Sequence, residues 1–128
     1  MTTTTTTHHP ASEVRGLIDA ELAALRACTA GEFTREAERR RGEMEARVSA
    51  LFAELLPEGV DPRFVSPASL QGREDDEVHD LLAAARWAAD TADRSTYGGV
   101  CDGDAALDSV AVLEAELRAR DLPVPAWS

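Results

Sequence analysis

Asp76 and His79 stand three residues apart and Asp75 stands four before the same histidine, so a helix would place a carboxylate and an imidazole on one face, the spacing by which both can reach one metal ion. Helical metal bundles draw a carboxylate-x-x-His pair from each of two helices and add inward-facing glutamates from the others. This chain has no second such pair, and its remaining histidines, His8 and His9, follow a run of threonines. The expectation is therefore a solvated His79 balancing its acidic neighbours. A metal site on Asp76 and His79 is the weaker reading, and no cofactor is expected.

Other chemical groupings are weaker still. Asp102-Gly103-Asp104, with Asp108 following, lacks the alternating oxygen ligands, the sixth-position glycine and the twelfth-position glutamate of a calcium loop, and is expected to cap a helix instead. Tyr97-Gly98-Gly99 has too few glycines and no following lysine for a phosphate cradle, so it is expected to be a turn. Nucleophilic catalysis would need Cys101 or a serine beside His79 and an acid, and the sequence sets no such trio together. Cys101 precedes an expected helix start, where a thiolate is favoured, yet an inert thiol is the simpler reading. The chain is expected not to be an enzyme.

Recognition is better supported. Between Glu74 and Asp108 ten acidic residues face only Arg86 and Arg94, which leaves a surplus of negative charge. By contrast Arg39-Arg40-Arg41 is interleaved with Glu36, Glu38, Glu43 and Glu45, the pattern of a solvated helix face laced with i,i+4 pairs. At helical spacing Trp87 points away from Val78 and Ala85, among Asp80, Ala83, Asp90 and Arg94. A tryptophan there is either covered by a neighbouring segment or serves as an interface anchor. Trp87, Asp80, Asp90, Arg94 and Trp127 are the expected partner-binding residues.

The elements that must position these groups are helical. Val14, Leu17, Ile18, Leu22, Leu25 and Cys28 define a first helix capped by Ser12 and stopped near Gly31. A second starts at Thr29, in capping-box spacing with Glu32, or at Thr34, and ends at Leu56; Ala37, Met44, Leu51 and the companion Val48 and Leu55 form a heptad seam that Arg41 interrupts. In residues 57–72, Asp61-Pro62 and Ser66-Pro67 predict two single turns, with Phe64, Val65 and Leu70 closing one end of a bundle. A third helix spans about 73–94 with Val78, Leu81, Leu82, Ala85, Ala89 and Ala92 inward. After a glycine-bearing loop, a fourth capped by Asp102 or Asp104 carries Ala106, Val110, Leu113 and Leu117 and stops before Pro123. The expected fold is all-α: a four-helix up-down bundle, or a long helical hairpin plus a second shorter hairpin. Residues 1–11 are expected as a disordered threonine and histidine tail, 12–122 as a single helical domain, and 123–128 as a proline-rich apolar tail.

Composition narrows the function classes. With 44% hydrophobic and 29% charged residues the chain should fold, and with 5% aromatics its core must be built from Leu, Val and Ala. A net charge of −11 argues against direct nucleic-acid binding and against docking on anionic membranes. No apolar run approaches the roughly 20 residues of a membrane span and no export signal is visible, so a cytoplasmic chain with free Cys28 and Cys101 thiols is expected. Arginine as the sole strong base, beside abundant Ala, Gly, Asp and Glu, points to a bacterium or phage with a GC-rich genome. The function expected is a non-enzymatic protein-protein interaction or assembly module with an acidic helical face, binding a protein partner or self-associating. The alternatives are an acidic inhibitor or nucleic-acid mimic, and a small helical metal-dependent enzyme.

Overall fold

A computed structural model describes residues 10–29 and 34–127. All regular structure among them is helical: α1 (Ala11–Thr29), α2 (Arg35–Leu55), a single 3-10 turn (Pro67–Leu70), α3 (Asp75–Thr91) and α4 (Tyr97–Ala119). The helices pair α1 with α2 and α3 with α4, and the chain divides into two compact units, Met1–Leu55 and Leu56–Ser128. The expected all-helical class and helix pairing are observed. The threonine and histidine segment through His9, the Cys28 side chain, the Thr29 and Glu32 cap and the Gly31 stop lie outside the described residues.

In the first unit the Pro10 carbonyl accepts from the amides of Glu13 (2.9 Å) and Val14 (3.1 Å). The helix thus begins before Ser12, which lies inside the first turn and does not cap it. Thr34 caps α2, its Oγ1 accepting from the Ala37 amide at 3.0 Å. Helices α1 and α2 pack against each other, and Arg47 Nε of α2 meets Glu21 Oε2 of α1 at 3.3 Å. Val14, Ile18, Ala37, Val48 and Phe52 are buried, while Leu22, Leu25, Met44, Leu51 and Leu55 are half-buried and Leu17 is 40% exposed. The heptad seam is thus only partly withdrawn from water, and Phe52, outside it, joins the buried set.

In the second unit three ion pairs, Asp75 with Arg120 just past α4, Arg86 with Glu114, and Arg94 just past α3 with Asp104, step in opposite directions along α3 and α4, which fixes an antiparallel hairpin. Val78, Leu81, Leu82 and Ala85 of α3 meet Val110, Leu113 and Leu117 of α4, with Val65 and Leu70 from the connection completing the core. Each fully buried Leu or Val contributes roughly 1.5–3 kcal/mol relative to exposure. Glu74 precedes α3 and Glu77 reaches back to its amide at 3.0 Å, closing a capping box. In the connection, Ser66 caps the 3-10 turn and Asp61 Oδ1 accepts from the Arg63 amide at 2.9 Å, so both proline turns form. Ser109 Oγ, buried in α4, accepts the Val65 amide at 2.9 Å and pins the connection to the core. Phe64 departs from expectation: it is 61% exposed, with the Arg63 guanidinium 5.3 Å from its ring.

The start of α4 is a correction. The glycine-bearing loop expected before Asp102 is helical from Tyr97, and Thr96 caps it by accepting the Gly99 amide at 2.9 Å. Asp102 and Asp104 are interior helix residues, not caps. Gly99 sits where a Cβ would collide with the Asp93 carbonyl, and at Gly103 a Cβ would lie 2.7 Å from the Arg94 guanidinium and 3.1 Å from Ala92. These glycines let the end of α3 approach the start of α4; they do not loosen the chain into a turn.

Candidate functional site

Beyond α4 the chain reverses. The Asp121 amide donates to the Arg118 carbonyl (3.0 Å) and the Leu122 amide to the Leu117 carbonyl (2.9 Å), the paired bonds of a Schellman cap. Such a cap needs a left-handed residue at its pivot, usually glycine; here Asp121 takes φ 62°. The reversal folds Leu122 back on the core, where it and Val124 pack while Pro123 and Pro125 face water. Six extended residues span roughly 20 Å, and the fifteen-residue step from Asp75 to Asp90 along α3 covers about the same length at 1.5 Å per residue. Residues 122–127 accordingly form a strap beside the hairpin that brings Trp127 to Asp90.

Side chains of α3 hold the strap by its backbone and its indole. Arg86 Nη2 donates to the Pro125 carbonyl (2.8 Å) and to Glu114 Oε2 (2.9 Å), and its Nη1 to the Ala126 carbonyl (3.5 Å). The same guanidinium lies 5.4 Å from the centroid of the Trp127 ring. The Arg86 side chain is only 11% exposed, and its Nε is buried without a hydrogen-bond partner. Trp127 Nε1 donates to Asp90 Oδ2 at 3.2 Å, yet the residue stays 41% exposed. An indole is thus fixed at both its ring and its N–H while part of its surface faces solvent.

Of the expected partner-binding residues, the structure joins Asp90 to Trp127 by a hydrogen bond. Trp87 is half-buried, and Asp80 is buried at 9% exposure, so Asp80 does not belong to an exposed face. The reason is that α3 buries a wider arc than one stripe: Asp80 and Ala84 are covered as well as Leu81, Leu82, Ala85 and Ala89. Arg94 is exposed and turned to Asp104 at 3.5 Å, its guanidinium lying over Gly103. Asp76 is exposed and His79 half-buried, and among the described residues no three His, Cys, Asp or Glu side chains gather to hold a metal. Cys101 is exposed as a free thiol. Arg86, the residue that organises the strap, is absent from the expected set. In sequence it is a lone base among acids, and its carbonyl acceptors lie 39 and 40 residues away.

Charge is concentrated on this unit. Residues 56–128 carry fifteen acids against six arginines, a net −9, whereas residues 1–55 carry nine against seven, a net −2. Several carboxylates are tied locally. Asp61 is held below its ordinary range, first by the Arg63 side chain, and Asp93 likewise by the Ser95 hydroxyl and amide. The Arg120 guanidinium is pushed up by Glu116 and Asp75. Among the described residues no helix is long and apolar enough to cross a membrane. No family model, no curated protein and no solved structure matches this chain.

Proposed function

We propose that this chain is a non-enzymatic protein-protein interaction or assembly module whose α3–α4 hairpin meets its partner with an acidic face centred on Trp127. One observation carries the reading: Trp127 contacts Asp90 through its indole N–H and Arg86 through its ring while 41% of it remains open to solvent. Tryptophan and arginine dominate binding energies where they are desolvated at the centre of an interface. An indole ordered before contact also avoids much of the entropy cost of being fixed on binding. Asp90 and the Arg86–Glu114 pair supply the charged surround, and Trp87 on α3 adds further aromatic surface.

The test is affinity for the partner recovered with the full-length chain, compared with the Trp127→Ala form at matched helicity. The reading predicts a loss of at least about 30-fold, corresponding to the 2 kcal/mol or more of a hot-spot residue. Partner affinity that ignores Trp127→Ala, or the absence of any partner, would remove it.

A second reading, an acidic inhibitor or nucleic-acid mimic in the cytoplasm of a bacterial or phage-infected cell, draws on the net −9 of residues 56–128. Competition with duplex DNA for a DNA-binding protein distinguishes the two. A mimic loses affinity steeply with salt, whereas an apolar anchor is nearly indifferent to it.

A further inference from the structure

The strap is held as a bound peptide is held. Leu122 and Val124 enter the core side at alternate positions, Pro123 and Pro125 keep the backbone extended, Arg86 takes two backbone carbonyls, and Asp90 takes the indole N–H. All of these groups are contributed across a reversal pivoted on one non-glycine residue, Asp121, in the left-handed region at φ 62°. That conformation disfavours the closed reversal relative to an opened one, in which Asp121 could relax. The segment shown to fit the groove is residues 122–127, and every other copy of the chain carries the same segment.

We infer that the groove on the α3–α4 hairpin, with Arg86 and Asp90 as its polar contacts, receives residues 122–127 of a second copy of this chain, so that copies assemble by strap exchange. This rests on the reading of the chain as an assembly module and names the partner as itself. In dilute solution the strap in cis outcompetes the strap in trans, because a short tether gives it an effective concentration in the millimolar range, and copies of the unmodified chain exchange straps as their own concentration approaches that range. Exchange is therefore exposed by disabling the two halves of the contact in different chains. Trp127→Ala leaves an intact groove with a poor strap, and Arg86→Ala leaves an intact strap with a poor groove; neither satisfies itself, but each supplies what the other lacks.

The experiment is sedimentation velocity on the two full-length variants, alone and mixed at equal concentration. The mixture is expected to form a one-to-one dimer with an apparent dissociation constant at least tenfold below that of either variant alone. A mixture that sediments as the sum of its parts up to about 1 mM overturns the inference. Should Arg86→Ala fail to fold, a fluorescent amidated peptide of residues 121–127 takes the place of the strap donor. It is expected to bind the Trp127→Ala chain at least tenfold more tightly than the wild type, and a peptide with alanine for tryptophan is expected to bind at least tenfold more weakly. Equal binding to both chains, equal binding of both peptides, or no saturable binding below about 1 mM overturns it. If a different protein is captured through Trp127 while the mixed variants stay monomeric, the interaction reading stands and strap exchange is removed.

Discussion

The α1–α2 and α3–α4 hairpins are built from helices of similar length and reach different ends. Among the described residues, the first unit buries five apolar residues and leaves Leu17 at 40% exposure, and the second buries twelve, four of them alanines; residues 1–55 carry a net −2 and residues 56–128 a net −9. A helix pair buries one stripe of each helix, and chain packed beside it is needed to bury more. The α3–α4 pair gains this from outside its two helices: Val65 and the 3-10 residue Leu70 of the connection, and Leu122 and Val124 of the strap. Irregular segments thus complete one core, and in doing so the strap orders Trp127 at its edge.

The largest expected contrast lies between buried leucines and exposed ones. Leu113→Ala should lower unfolding free energy by about 2–5 kcal/mol, the range for a fully buried leucine, and Leu17→Ala by only about 1 kcal/mol, since 40% of the residue already faces water and its truncation opens no enclosed cavity. Urea denaturation of both decides it, and equal costs would erase the difference between the hairpins. The glycines sharpen the same comparison. Gly99→Ala should destabilise by about 2 kcal/mol or more, because a Cβ meets the Asp93 backbone. Gly42→Ala, within α2 and with open space around it, should stabilise by up to about 1 kcal/mol. If both have one sign, the close approach of α3 and α4 is wrong.

Smaller effects probe how the irregular segments are fixed. Ser109→Ala should cost about 1–3 kcal/mol by stranding the buried Val65 amide, and hydrogen exchange at that amide should quicken. The Asp61 carboxyl titrates below its ordinary 3.8, chiefly because of Arg63. Its folded value lies under the unfolded one, so the pair contributes stability above about pH 4 and loses it as pH falls through and below that point. Because both partners are well exposed the effect stays under about 1 kcal/mol. Asp61→Asn should flatten the acid limb of a denaturation series by that amount, and an unchanged limb would show that the pair is immaterial.

The helices were legible because burial imposes a 3.6-residue period, and Val78, Leu81, Leu82 and Ala85 show it without help from the rest of the chain. Thr34 and Ser66 were legible as caps for a similarly local reason. Gly98 and Gly99 misled: the motif that marks a turn also marks a helix start pressed against another backbone, and only the Asp93 carbonyl tells the two apart. Asp80 was misplaced by assuming one buried stripe on α3. The Asp90 to Trp127 bond joins residues 37 apart through an extended strap with no period of its own, so both ends could be named while their contact and the Arg86 clamp could not.

The account depends most on Trp127 being fixed against Arg86 and Asp90. Fluorine NMR of the full-length chain labelled with 5-fluorotryptophan reads this directly, since Trp87 and Trp127 give two signals that a Trp87→Phe form assigns. The Trp127 signal should stand apart from the free fluorotryptophan position and move toward it in Arg86→Gln and Asp90→Asn forms. A wild-type Trp127 signal already at the free position would contradict the ordered strap.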